Sequence, residues 1–182
     1  MTFNATEIEG VWVVEPERFE DERGFFARTW DASEFADRGL NGSLAQASIS
    51  YNRRRGTLRG MHFQAAAHEE TKLVRCTAGA IFDVAIDIRR SSPTFLAWVG
   101  VELSAENRTA LYVPEGCAHG FLTLTDDVEI SYQISAPHEP RAARGVRFDD
   151  PAFGILWPEG IIVINDRDRT YPDFDAKAAA SP

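Results

Sequence analysis

Between Leu58 and Cys76 the chain reads LRGMHFQAAAHEETKLVRC, setting two arginines, two of its four histidines and a lysine along two strand-like runs and the loop between them. A packed core does not require that density of functional groups. A histidine, with a reference pKa near ~6.5, can act as a base at neutral pH. A lysine supplies positive charge where an enolate oxygen develops. A tyrosine can return a proton from the opposite face, which inversion of a carbon centre requires. His62, Lys72 and Tyr132 fill those roles, and the chemistry they suit is proton abstraction next to a carbonyl.

Strands must position them. Short runs separated by turn residues extend over Ile8 to Val14, Ala45 to Tyr51, Thr57 to Gln64, Lys72 to Thr77, Ala80 to Ile88, Phe95 to Leu103, Ala110 to Val113, Gly120 to Leu124 and Val128 to Ile134. This spacing implies an all-β sandwich or jelly-roll barrel within a single domain spanning 1–182. One short helix is expected at Asp31 to Gly39, with Asp31 and Glu34 at capping-box spacing and Gly39 ending it. The Ala-rich tail, 176–182, is expected to fray. Period-two alternation turns Tyr132 inward with Val128 and Ile130, and Lys72 inward with Val74 and Cys76. An inward lysine is costly unless it meets a partner or a substrate, so the pattern implies a ligand cavity. The same alternation points Phe82, Val84, Ile86 and Ile88 inward and leaves Asp83 and Asp87 as solvated carboxylates.

The bulk properties exclude other classes. A net charge of −9 argues against nucleic-acid binding, although Arg53, Arg54, Arg55 and Arg59 form a basic cluster that could hold an anion or be a solvated turn. No apolar run approaches the ~20 residues of a membrane span. The start, MTFNATEIEG, lacks the pattern of a secretory signal, so the expected location is the cytoplasm. Cys76 and Cys117 have no metal-site spacing and are expected to be reduced and buried.

Val113 to Phe121, VPEGCAHGF, resembles the second signature of the cupin superfamily, and His62-Phe63-Gln64 stands where the first usually supplies His-x-His. An amide is a poor ligand for iron, zinc or manganese, so a metal-dependent enzyme using His62, Gln64 and His119 is the minority reading. The strings DERGFF, TLRGMHFQ, KLVRC, FDVAIDIRRSSPTF, VGVELSAENR, VPEGCAHGF, RGVRFDDPAFGILWP and NDRDRTYP together resemble the dTDP-4-dehydrorhamnose 3,5-epimerase family, over about Ile8 to Pro172. That resemblance implies a cupin-type jelly roll with a few short peripheral helices, no metal and no cofactor, a homodimer, and epimerisation of a 4-keto-6-deoxy sugar on a nucleoside diphosphate. It implies His62 as base, Asp168 as the carboxylate orienting it, Tyr132 as acid and Lys72 at the enolate. It implies sugar or phosphate contacts from Arg59 and His119, a diphosphate contact from Arg23, and further contacts at Gln46, Ser48, Arg28, His138 and Arg167. Asp168 lies in a turn signal that spacing alone would read as a helix cap beside Asn165.

Departures gather on the nucleotide side. Gln46-Ala47-Ser48 replaces Gln-Asp-Asn, Arg28 replaces a glutamate, His138 an aromatic and Ala143 a glutamate. His68 and Glu70, between His62 and Lys72, are expected to be solvated. A sugar-nucleotide binding protein without catalysis is a third reading, against which the retained His62, Asp168, Lys72 and Tyr132 speak.

Overall fold

The computed structural model describes residues 1–176. Of the tail expected to fray, 177–182 lie outside the described residues. The chain forms β1 (Thr2–Ala5), β2 (Trp12–Glu15), β3 (Arg18–Asp21), β4 (Gly24–Ala27), α1 (Ala32–Ala36), β5 (Gln46–Asn52), β6 (Leu58–Gln64), β7 (Lys72–Ala78), β8 (Ala80–Asp87), β9 (Trp98–Ser104), β10 (Ala110–Val113), β11 (Cys117–Thr123), β12 (Val128–Ile134), β13 (Ala143–Gly145) and α2 (Asp166–Arg169). One six-stranded antiparallel sheet runs β1-β2-β10-β7-β12-β5, and a five-stranded sheet facing it runs β13-β6-β11-β8-β9. This is the expected jelly-roll architecture. The β3–β4 hairpin stands apart as its own two-stranded sheet.

The principal core lies between the sheets. Val74, Cys76, Ile81, Ala85, Leu111, Phe121, Val128 and Ile130 are buried there, and Tyr132 packs against them. Lys72 and Tyr132 thus point inward, as the alternation implies. The outer face of the six-stranded sheet is covered by α1, whose Phe35 packs on Val14, Leu73 and Tyr112. The outer face of the five-stranded sheet is covered by the chain after β13, through Val146, Phe153, Trp157 and Phe174.

That second cover corrects the reading of β8. Phe82, Val84 and Ile86 pack under it, so Asp83 and Asp87 face the other way, into the molecule. Neither is solvated: both are fully buried. Alternation marks two faces, and a strand apolar on one and mixed on the other gives no rule for which is outside once both are covered. Asp87 accepts from Arg89 Nε at 2.9 Å, Ser92 Oγ at 2.5 Å and Thr94 Oγ1 at 2.7 Å, and so fixes the turn into β9. Burial opposes its ionisation, but those hydrogen bonds outweigh burial and hold its pKa below the usual carboxylate range.

Other boundaries move for local reasons. The run from Ile8 is broken at Gly10, φ +80°, so β2 begins at Trp12 and β1 precedes it. At α1, Asp31 caps Ser33 N and Glu34 N, but Glu34 binds the amino-terminal ammonium instead of completing the capping box. No helix among the described residues is long and apolar enough to cross a membrane.

Both cysteines are buried, and burial pushes their thiols up, Cys76 to about 11 and Cys117 to about 12. Iodoacetamide at about pH 8 is therefore expected to leave both unmodified in the native protein and to modify both in denaturant, because the thiolate is the nucleophile. Stoichiometric native labelling, read by intact mass, would contradict this packing.

Candidate active site

Two strands of the five-stranded sheet bring the histidines together. On β6 and β11, His62 and His119 are direct cross-strand neighbours, with a register shift just beyond His119. The strands can approach because a Cβ on Gly60, φ +136°, would sit 2.6 Å from Gly120 Cα. Only glycine fits there without strain.

His62 Nε2 lies 2.7 Å from Asp168 Oδ1, and Gly60 N–H donates to Asp168 Oδ2 at 3.1 Å. Asp168 is fully buried at the first turn of α2, where Asn165 caps its own backbone N–H at 2.7 Å. Asp168 thus meets His62, and the cap of this turn is Asn165 rather than Asp168 itself. Burial opposes its charge, but the hydrogen bonds from His62 and the Gly60 N–H prevail, and its pKa falls below the ordinary value. An ionised acceptor assigns the Nε2–H tautomer to neutral His62 and leaves Nδ1 unprotonated.

From the opposite sheet, β7 supplies Lys72 and β12 supplies Tyr132. Lys72 Nζ is 2.8 Å from Glu70 Oε1, and the two side chains are only 10% and 9% exposed. Glu70 is thus not solvated, as its loop position had implied, whereas His68 is exposed. Gln64 Nε2 donates to the other oxygen of Glu70 at 2.9 Å and to His68 O at 3.0 Å, while Gln64 Oε1 accepts from Glu139 N at 2.9 Å. The amide at the first cupin-like position is therefore a structural cross-link.

His119 repeats the pattern of His62, its Nε2 lying 2.8 Å from Asp83 Oδ1 deep in the barrel. Burial raises the pKa of Asp83 against the opposing pull of His119. The Tyr132 ring meets the His119 ring edge-on with centroids 6.1 Å apart. Burial first, and the charge of Asp83 next, push the Tyr132 phenol far above its ordinary value, so it stays protonated at any physiological pH.

A cavity of about 280 Å³ is lined by Ser48, Arg59, His62, Lys72, His119 and Tyr132, with Ser50, Phe121 and Ile134. A second, of about 220 Å³, shares His62 and Lys72 as its wall and continues to Gln64, Glu70, His138, Arg144 and Arg167. Gln46 accepts from His138 N at 2.7 Å beside it. Arg23 and Arg28 are elsewhere. Arg23 is bound to Asp21 at the tip of the β3–β4 hairpin, and Arg28 to Asp31. In the basic cluster, Arg55 pairs with Glu159, and Arg53 and Arg54 line a surface groove that reaches Arg59. Glu70 and Asp83 are the site residues that sequence reasoning missed. Their signal was proximity to an inward basic side chain, Glu70 two positions from Lys72 and Asp83 on the strand beside that of His119.

The donor set does not suit a metal. Each imidazole already gives Nε2 to a carboxylate, Gln64 Oε1 is occupied, and no group of three or more His, Cys, Asp or Glu among the described residues could hold an ion.

A sequence profile described as dTDP-4-dehydrorhamnose 3,5-epimerase matches residues 5–176. This chain belongs to the dTDP-4-dehydrorhamnose 3,5-epimerase family. It is 43% identical over 175 residues to the protein of that name from Sinorhizobium fredii, covering 96% of this chain and 90% of that one. The crystal structure of the Elizabethkingia anophelis epimerase superposes with a TM-score of 0.93 at 37% identity, covering 96% of each chain. A Bacillus anthracis epimerase structure with TDP and PPi bound gives 0.91 at 36% identity, covering 95% of this chain and 99% of that one. The family is one of isomerases with a cupin-like jelly roll, so this family member is an enzyme and its fold is the expected one.

For this epimerase, His62→Ala is expected to lower turnover by at least ~10²-fold, the ordinary worth of a general base. Asp168→Ala should do likewise and also cost ~1–3 kcal/mol in urea unfolding, because Gly60 N–H loses its buried acceptor. Unchanged turnover in either variant would remove the dyad from the chemistry.

Proposed function

We propose that the chain inverts the carbons flanking the ketone of a nucleoside-diphosphate 4-keto-6-deoxy sugar, converting dTDP-4-dehydro-6-deoxyglucose to dTDP-4-dehydrorhamnose. The observation that carries this reading is that His62 and Tyr132 line one cavity from opposing sheets. His62 Nδ1 takes the proton next to the ketone, and the electron pair moves into the carbonyl to give an enolate. The Lys72 ammonium stabilises the enolate oxygen, with His119 and Arg59 close by. Tyr132, kept protonated by burial, delivers a proton to the same carbon from the other face. One proton is taken and one returned, so the step balances with no redox partner and needs no cofactor.

The sugar would occupy the first cavity and the nucleotide would extend past Arg59, with Ser48, Gln46, His138 and Arg167 as contacts. The relatives' names and the TDP and PPi in the B. anthracis structure support a dTDP-linked substrate. The substitutions at Ser48, Arg28, His138 and Ala143 favour keeping a second reading, a 3-epimerase or 3,5-epimerase for a GDP- or CDP-linked sugar. Incubation in heavy water with dTDP-, GDP- and CDP-linked 4-keto sugars discriminates them. Deuterium at both flanking carbons of the dTDP sugar is expected, deuterium at one carbon would mean mono-epimerisation, and none with any member would overturn the proposal.

The chain acts as a homodimer in this proposal. The hairpin supports it: Phe19 and Phe26 are opposite one another on β3 and β4 and 59% and 68% exposed, with Arg23 at the tip. A second copy would cover those rings and receive Arg23 at its diphosphate. Arg23→Ala is then expected to raise KM about tenfold with little change in kcat, since a hydrogen bond to a charged group is worth ~1.5–3 kcal/mol. Light scattering at monomer mass, or an unchanged KM, would contradict it.

A further inference from the structure

Lys72 has a partner that the reaction itself does not call for. We propose that Glu70 is a positioning residue: it holds the Lys72 ammonium on the wall shared by the two cavities, so that the positive charge is already in place when the enolate forms. The inference rests on the epimerase reading for its consequence in catalysis, though the hold itself does not.

The geometry carries it. Lys72 belongs to both cavity linings, whereas Glu70 belongs only to the second, so the pull on the ammonium comes from the side away from Tyr132. A lysine tip has several rotatable bonds and no preferred direction of its own, unlike a guanidinium. Glu70 removes that freedom because it is itself fixed. One oxygen binds Lys72 Nζ at 2.8 Å and the other accepts from Gln64 Nε2 at 2.9 Å. Gln64 is in turn 5% exposed and bonded to His68 O and Glu139 N, tying β6 to the loops on either side of the site. The chain from backbone to ammonium thus consists of hydrogen bonds among buried groups, the kind of support that keeps a catalytic group within reach of its target. The two imidazoles of the cavity are held in the same way, His62 on Asp168 and His119 on Asp83.

Glu70→Ala is expected to lower kcat by ~10²-fold, the scale of a misplaced catalytic group, while KM changes little. Glu70→Gln, whose amide oxygen can still accept from the ammonium, should recover most of that loss. In a Lys72→Met background, Glu70→Ala should reduce the residual solvent exchange no further, because there is no ammonium left to position. A second readout does not depend on activity. Lys72 and Lys177 are the only lysines of the chain. In a Lys177→Arg protein labelled with 15N-lysine, the Lys72 ammonium resonance should be protected from solvent exchange in the Glu70 protein and lost to exchange in the Glu70→Ala variant. The same fold-loss in the Lys72→Met background, or an ammonium signal indifferent to Glu70→Ala, would overturn the proposal. Should the wild-type chain exchange no deuterium into any 4-keto sugar, the epimerase reading fails, and the ammonium signal still decides whether Glu70 holds Lys72.

Discussion

A charged group placed inside an apolar barrel must meet an opposite charge or a hydrogen-bond partner, and much of this molecule's local structure follows from that requirement. Removing one member of a buried ion pair costs ~3–5 kcal/mol, a large share of a domain's stability. Here three basic side chains of the cavity, His62, Lys72 and His119, face Asp168, Glu70 and Asp83 respectively. Each carboxylate reaches its place by a different device. Asp168 arrives on a four-residue helix capped by Asn165, Glu70 on a loop pinned by Gln64, and Asp83 on the inward face of β8. The glycine contact between β6 and β11 serves the same end, since it brings both imidazoles to one wall and leaves Gly60 N–H free to bind Asp168.

This pairing also explains how a site can be charged without being disordered or closed. The carboxylates lie behind the basic groups they hold, so the groups that face the cavity are an unprotonated imidazole nitrogen, an ammonium, a second imidazole and a protonated phenol. Arg59 differs, since its Nε donates to the neutral amide of Asn52 at 2.7 Å and its side chain remains exposed. Among the described residues no carboxylate pairs with it, and such a guanidinium suits a phosphate oxygen of the proposed substrate. His62 and Tyr132 stand on different sheets, so in the proposed reaction the barrel has to close before base and acid can work from two faces. In the proposed reaction, preorganisation of this kind would lower the barrier because no dipole has to turn as the charge develops.

The sequence carried most of the scaffold and about half of the site. The runs at Lys72, Ala110 and Val128 became strands at or within a residue of their expected bounds, because alternation and turn residues are local signals. Inward Lys72 and Tyr132 were legible for the same reason. Asp83 was misread because β8 is covered on both faces, and the outer cover comes from residues some seventy positions later, which no local pattern announces. Glu70 was misread because a loop glutamate two residues before a strand looks solvated until its loop folds back over the strand's first residue. The pairing of Asp168 with His62 was implied by family resemblance alone, because that contact spans 106 positions. The hairpin carrying Arg23 was visible only as a turn beside aromatic residues, and its exposed rings have no partner rule within one chain.

The most direct test of paired carboxylates as the organising device is the tautomer of His62. In protein labelled with 15N-histidine and held near pH 8, where an ordinary imidazole is neutral, long-range 1H–15N spectra separate the protonated from the bare ring nitrogen. The His62 signal should report a protonated Nε2 and a bare Nδ1, and Asp168→Asn should disturb that assignment. A protonated Nδ1 in the wild-type chain would leave no base facing the cavity and would contradict the account.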